Sequence, residues 1–151
     1  MRYLKSFFLA VFIIIVLFFA FYKLGVAPLN NADEGIYAEV SIEMFQNNQL
    51  LPPTYFGDIW LEKPPLHLWL NMLSFQIFGT TTFAVRFFSA VFLVGNMLLL
   101  FFLGRLIYSD KSGLLAIILF LTSQLFFTEH IGRTGDFDMG LIFFSLLAIY
   151  S

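Results

Sequence analysis

The stretch Phe83–Leu103, FAVRFFSAVFLVGNMLLLFFL, decides the fold. It carries one charged residue, Arg86, near its start, and no proline. About 20 apolar residues coiled as an α-helix match a bilayer hydrocarbon core of about 30 Å. A helix also satisfies its own backbone polar groups, which lipid cannot do. Phe83–Leu103 therefore reads as a membrane span, with the long stem of Arg86 snorkelling to the interface.

The flanking sequence repeats the pattern. Gly104–Ser112 reads as a tight turn carrying Arg105, Asp110 and Lys111, and Gly113–Thr128 as the next span. Glu129–Gly140, EHIGRTGDFDMG, is a short polar loop, and Leu141 opens a further apolar run. Towards the N-terminus, Ser6–Tyr22 is almost unbrokenly apolar between Lys5 and Lys23. Its basic start fits a signal peptide. The run is long for one, though, and the cleavage candidate Gly25-Val26-Ala27 is followed by Pro28, so a retained span is the better reading. The expected class is all-α and multi-pass. Three complete spans lie over about 6–22, 83–103 and 113–128, and a fourth begins over 141–151. No polar tail closes Leu141–Tyr150, so the chain reads as the N-terminal part of something longer.

Composition agrees. Of 151 residues, 60% are hydrophobic, 12% are charged and 22 are Phe, with a net charge of −2. A soluble domain averages about 25% charged residues, so disordered, nucleic-acid-binding and ordinary cytosolic classes are excluded. There is no cysteine, hence no disulfide framework or thiolate site. With the N-terminus inside, basic residues split evenly: Arg2, Lys5, Arg105 and Lys111 inside; Lys23, Lys63, Arg86 and Arg133 outside. The inside segments are shorter and denser in positive charge, which favours that orientation and puts both acidic loops outside.

The first external loop, 24–82, interrupts the apolar pattern. Asn30, Asn31 and Asp33 are helix-start residues, and Ala32–Gln46 follows without proline. Ile36, Tyr37, Val40 and Met44 form one stripe, with Glu39 and Glu43 on another face, as in an amphipathic helix at a membrane surface. Pro52-Pro53 and Gly57-Asp58 mark turn-rich chain. Pro64-Pro65 starts a second helix, Leu66–Phe78, which Gly79 stops. At about 20 Å this helix is too short to span. Trp60 and Trp69 fit an aromatic belt; His67 and His130 read as packing or interface residues.

Three constellations carry chemistry. Asp33-Glu34 at a helix start is either a cap with a dipole partner or a carboxylate poised as general base. Lys63, before a rigid Pro-Pro start, either snorkels or supplies a fixed charge for a lipid phosphate, which a helix N-terminus also favours. Arg133, Asp136 and Asp138 are either a solvated turn, made flexible by Gly132, Gly135 and Gly140, or a polar interfacial site.

Their order is more telling than any one of them. The string N-x-D-E-G-I-Y-A-E-V-S-I-E-M, then L-P-P-x-Y-F-G, L-E-K-P-P-L-x-x-W-L, F-G-x-x-x-F-A-V-R-F and R-T-G-D-F-D resembles the type C, lipid-linked-sugar glycosyltransferases. That superfamily, glycosyltransferase family 39, includes protein O-mannosyltransferases and lipid A aminoarabinose transferases. The block from Asp33 to Arg86 is closest to the bacterial aminoarabinose branch. The resemblance implies many transmembrane helices and a first external loop with two juxtamembrane helices. It implies a polyprenyl-phosphate sugar donor, a lipid or protein hydroxyl acceptor, and a bacterial inner-membrane site facing the periplasm. It makes Asp33 of the Asp33-Glu34 pair the catalytic residue, Lys63 the phosphate holder, and Asp136 or Asp138 the second acidic position. Arg133 joins the substrate-binding set. Glu62 is offered as a ligand of a divalent metal whose partners would lie beyond Ser151; no other cofactor is implied. The rival readings are a non-enzymatic subunit, an inactive fragment, or a transporter. The transporter is disfavoured because the charges sit at span ends rather than mid-span.

Overall fold

The computed structural model describes residues 13–30, 33–122 and 133–151. The first helical stretch, α1, covers residues 13–21. It is followed by α2 (Asp33–Gln46), strands β1 (Thr54–Tyr55) and β2 (Asp58–Ile59), α3 (Leu66–Phe78), α4 (Thr82–Ile107), α5 (Asp110–Thr122) and α6 (Asp138–Tyr150). The chain is mostly helical, as expected. The loop over 52–60 is more ordered than its turn signals suggest. Thr54 pairs with Ile59 and Tyr55 with Asp58 in an antiparallel hairpin. Its two-residue turn is Phe56-Gly57, at φ 51 and 85. Positive φ at both central positions is the turn whose twist suits a hairpin.

Two layers of packing build the molecule. In the first, Val16, Ala20 and Leu24 recur every four residues on one face of the first helix and its continuation. They meet Ala90, Leu93 and Met97 of α4, Ile117 of α5 and Met139 of α6. Outward faces stay apolar: Ile14 is 64% exposed, Leu119 61% and Leu106 71%. α4, about 39 Å long at 1.5 Å per residue, is the one helix among the described residues long and apolar enough to cross a membrane. α6 is a shorter apolar helix of 13 residues. The expected spans 6–22 and 113–128 fall partly outside the described residues, and residues 129–132 of the polar loop, His130 among them, lie outside them too.

The second layer sits at the α2/α3 end. The stripe Tyr37, Val40, Met44 is buried as its spacing requires, but against protein rather than lipid: it packs on Trp60, Leu68 and Met72. Trp60 is thus core, not belt, while exposed Trp69 donates from Nε1 to the Leu50 carbonyl at 3.0 Å. Gly79 closes α3, its N–H reaching Phe75 O with φ 70. Thr81 then caps α4 by accepting from Ala84 N. Ser74 Oγ donates to Ala84 O and Asn71 Nδ2 to Ser41 Oγ, stitching α3 to both neighbours.

The turn expected over 104–112 is much shorter. Helix continues through Gly104 and Arg105 to Ile107, leaving only Tyr108 and Ser109 as a link. Arg105 and Asp110 form an exposed ion pair across it. So abrupt a reversal brings α4 and α5 into backbone contact. A Cβ on Gly113 would stand 2.4 Å from Phe101 O, and one on Gly104 2.7 Å from Gly113 Cα. Gly113→Ala should therefore destabilise the protein by about 1–3 kcal/mol, the usual overpacking range, read as a lower unfolding temperature in detergent. An unchanged melting curve would mean that the helices do not approach so closely.

Candidate functional site

The site is organised by an ion pair that joins two segments far apart in sequence. Arg86, in the second turn of α4, reaches Glu34 in the first turn of α2, with Nε to Oε1 at 2.6 Å and Nη2 to Oε2 at 2.9 Å. Nη1 donates to the Leu24 and Ala27 carbonyls at 3.0 Å, and Nη2 also to Pro28 O at 2.9 Å. All five guanidinium N–H groups are used. Glu34 further accepts from the Asn30 and Gly135 backbone N–H groups, both at 2.8 Å, which fills its four acceptor positions. Both side chains are buried, at 1% and 6% exposure. Arg86 is therefore not a snorkelling residue. The exit of the first helix carries open carbonyls, and the guanidinium fork takes them up. Burial alone would raise the Glu34 carboxyl, but the Arg86, Asn30 and Gly135 hydrogen bonds and the Arg86 charge outweigh it and hold the group below its ordinary value.

Gly135 brings the second polar loop into this pair. A Cβ there would lie 2.6 Å from Val85 Cγ1 and 3.3 Å from Glu34 Cγ, so glycine serves close approach rather than flexibility. The loops containing Glu34 and Gly135 hence lie at the same end of α4. Arg133, half-buried, donates from Nη2 to the Tyr22 carbonyl. Burial first, and then the Arg86 charge, lower its pKa. It braces the end of the first helix and is not brought to the cavity described next. Asp136 is buried: it accepts from Thr134 Oγ1 at 2.7 Å, and its own carbonyl accepts from Ser89 Oγ.

Two residues beyond Asp136, Asp138 opens α6 and is exposed. Asp33 is also exposed, and Tyr37 Oη donates to its Oδ2 at 3.2 Å. Burial first, then Asp33, Asp136 and Asp138, raise the Tyr37 phenol. Three of the carboxylates named from sequence, Asp33, Asp136 and Asp138, thus bear on one tyrosine. The Phe137 ring packs edge-on to Tyr37 at 4.4 Å and against His67 at 4.6 Å. Lys63 and Asp138 line a cavity of about 300 Å³ whose other walls include Leu66, His67, Phe92, Phe137 and Phe144. One cation, one carboxylate and the His67 imidazole thus share a pocket whose other walls are apolar.

Glu62 is exposed and stands alone, and no group of three His, Asp or Glu able to hold a metal occurs among the described residues. The described residues do not by themselves make a divalent-cation site. Tyr37, His67 and Arg86 were absent from the sequence candidates. Only Tyr37 had a local signal, its four-residue spacing from Asp33 on a helix.

Residues 62–151 match the family described as dolichyl-phosphate-mannose-protein mannosyltransferase. The chain is 31% identical over 147 residues to an uncharacterized protein of Aquifex aeolicus, covering 97% of this chain and 29% of that protein. It is 34% identical over 145 residues to the undecaprenyl phosphate-alpha-4-amino-4-deoxy-L-arabinose arabinosyl transferase of Pectobacterium carotovorum, covering 92% and 25%. The crystal structure of ArnT from Cupriavidus metallidurans bound to undecaprenyl phosphate superposes with a TM-score of 0.66 at 25% identity, over 72% of this chain and 20% of that one. The chain thus spans about a quarter to a third of the length of these curated relatives.

Two outcomes follow for stability. Arg86→Lys offers three donors where five are used, and should cost about 3–5 kcal/mol, the range for breaking a buried pair, in thermal or denaturant unfolding. A loss under 1 kcal/mol would show that water replaces the fork. The second outcome concerns pH. Burial lowers His67 to about 4, against a weaker rise from the Gly135 backbone. The proton therefore binds the unfolded chain first, so stability falls between about 6.5 and about 4 as pH drops. His67→Phe should flatten that part of the unfolding-versus-pH curve; an identical slope would place the imidazole in water.

Proposed function

The chain belongs to the dolichyl-phosphate-mannose-protein mannosyltransferase family, and from that premise we propose that it forms the donor-binding N-terminal part of a multi-pass membrane glycosyltransferase. The donor is a sugar on a polyprenyl phosphate and the acceptor a lipid or protein hydroxyl, at the outer face of a bacterial inner membrane. The spans run over about 6–22, 83–103, 113–128 and 141 onward. The observation that carries this reading is the cavity in which Lys63 and Asp138 meet Leu66, Leu70, Phe92, Leu141 and Phe144. A lipid phosphate has the same make-up, an anion joined to a hydrocarbon chain.

The chemistry follows from these residues. Asp33, open to solvent, takes the proton of the acceptor hydroxyl as its oxygen attacks the anomeric carbon. The Tyr37 hydroxyl orients that carboxylate. The bond from the anomeric carbon to the phosphate oxygen breaks, and its electron pair leaves with the polyprenyl phosphate. Lys63 stabilises the charge that grows there. Direct displacement inverts the anomeric centre. Asp138 is the second acidic residue, because it faces the cavity while Asp136 is buried in its loop. Glu34 and Arg133 hold the frame.

The test is a kinetic comparison in the intact enzyme with a polyprenyl-phosphate sugar donor. Asp33→Asn keeps size and capping capacity, so a residue that only caps would show near-normal transfer. As general base, its loss should slow turnover about 100-fold or more. Lys63→Ala should raise the donor KM or lower turnover roughly 10- to 100-fold, the scale of a charge-assisted hydrogen bond. Wild-type kinetics in both variants would refute the assignment.

A further inference from the structure

The helix α3 is amphipathic the wrong way round for water. Its buried side includes His67, Asn71 and Ser74, while Leu66, Trp69, Leu73 and Ile77 are 37% to 64% exposed. A surface helix in water turns its polar residues out and its apolar ones in. Gln76 is the one polar residue among the exposed positions of α3, and no Asp, Glu, Lys or Arg occurs between Lys63 and Arg86. The one polar side-chain atom of the exposed stripe, Trp69 Nε1, donates to the Leu50 carbonyl at 3.0 Å and so needs no water. The same hydrogen bond brings Leu50, itself exposed, alongside the stripe.

An apolar patch of this kind takes protein or lipid. Two observations favour lipid. Where helices of this protein meet, small residues admit the neighbour: Gly104 and Gly113 between α4 and α5, Gly95 against Phe143 of α6, and Ser74 against Ala84 between α3 and α4. Helix packing within membranes relies on such residues. The exposed stripe of α3 has none and is bulky throughout. The second observation is continuity. Phe78 packs on Phe83 and Phe87 of α4, with ring centroids at 5.1 and 4.9 Å, and only residues 79–81 separate the two helices. The stripe therefore ends against the helix that is long and apolar enough to cross a membrane. Resting on the membrane reading given above, we propose that α3 lies in the bilayer interface with Leu66, Trp69, Leu73 and Ile77 turned to the acyl chains and its polar side held by the protein. The stripe of α2, which its period marks for a membrane surface, is covered by protein, and α3 takes that place. Because Lys63 directly precedes α3, and Leu66 and Leu70 line the cavity, the seat of this helix in lipid sets the level at which the cavity meets the bilayer.

The chain has no cysteine, so single cysteines can carry a nitroxide label. The intact protein is reconstituted into phosphatidylcholine vesicles with the label on Leu73→Cys and, separately, on Ile77→Cys. Both positions are exposed, so neither substitution opens the core. Spin relaxation then reports collisions with oxygen, which concentrates among acyl chains, and with a water-soluble nickel chelate. Leu98→Cys, on the exposed side of α4, is the lipid reference, and Gln46→Cys, exposed at the end of α2, the aqueous one. The ratio of oxygen to nickel accessibility at Leu73 and Ile77 should stand several-fold above that at Gln46 and approach that at Leu98. A ratio equal to that at Gln46 would place the face in water. Weak collisions with both reagents would mean that protein covers it. Either result overturns the proposal while leaving the membrane reading intact. An aqueous ratio at Leu98 itself would instead refute the membrane reading, and the seat of α3 with it.

Discussion

The buried pair of Glu34 and Arg86 is the constraint on which the rest of this structure depends. Desolvating two opposite charges is costly, and such a pair persists only when every donor and acceptor finds a partner. Here the fork spends two N–H groups on the carboxylate and three on the Leu24, Ala27 and Pro28 carbonyls. The carboxylate spends its remaining capacity on Asn30 and Gly135. One interaction thereby ties together the exit of the first helix, the start of α2, the entry of α4 and the second polar loop. Asp33 is the neighbour of Glu34, so the residue that presents its carboxylate to solvent sits beside the buried pair.

From that anchor the site builds outward in alternating polar and apolar steps. Tyr37 lies one turn past Asp33 and donates to it. The Phe137 ring contacts both Tyr37 and His67, and His67 lines the cavity that Lys63 and Asp138 share. Lys63 and Asp138 add charge to a lining whose other walls are mostly hydrocarbon. In the proposed function the charge meets an ionic group and the walls meet a chain, held by the area removed from water. The outward faces of the helices stay apolar, which suits a lipid environment and leaves polar chemistry to the end where the loops meet.

Much of this was legible in the chain. The helix Leu66–Phe78 follows from Pro64-Pro65 and Gly79, whose backbone restrictions act locally. The stripe Tyr37, Val40, Met44 follows from period alone; Asp33 was marked by its place at a helix start, and Asp136 and Asp138 by theirs in a short polar loop between apolar runs. Other features were not legible. The Phe56-Gly57 hairpin depends on a non-glycine residue at positive φ, which no sequence signal demands. Gly104 and Arg105 look like a turn, yet they continue α4, and Gly104 instead serves the close approach of α5.

What the sequence determined by itself is the apolar helical class and the bounds of α3, because periodicity, capping and hydropathy operate over a few residues. Tertiary structure alone decided the partners. Arg86 and Glu34 stand 52 positions apart, and Glu34 and Gly135 101 apart. Whether Arg86 snorkels or anchors, whether Gly135 bends or admits a neighbour, and whether Asp136 or Asp138 faces the cavity depend on which segments meet. Such contacts are selected by the free energy of the whole packed arrangement, in which a buried charge must find all its partners at once, and no local stretch of chain encodes that sum.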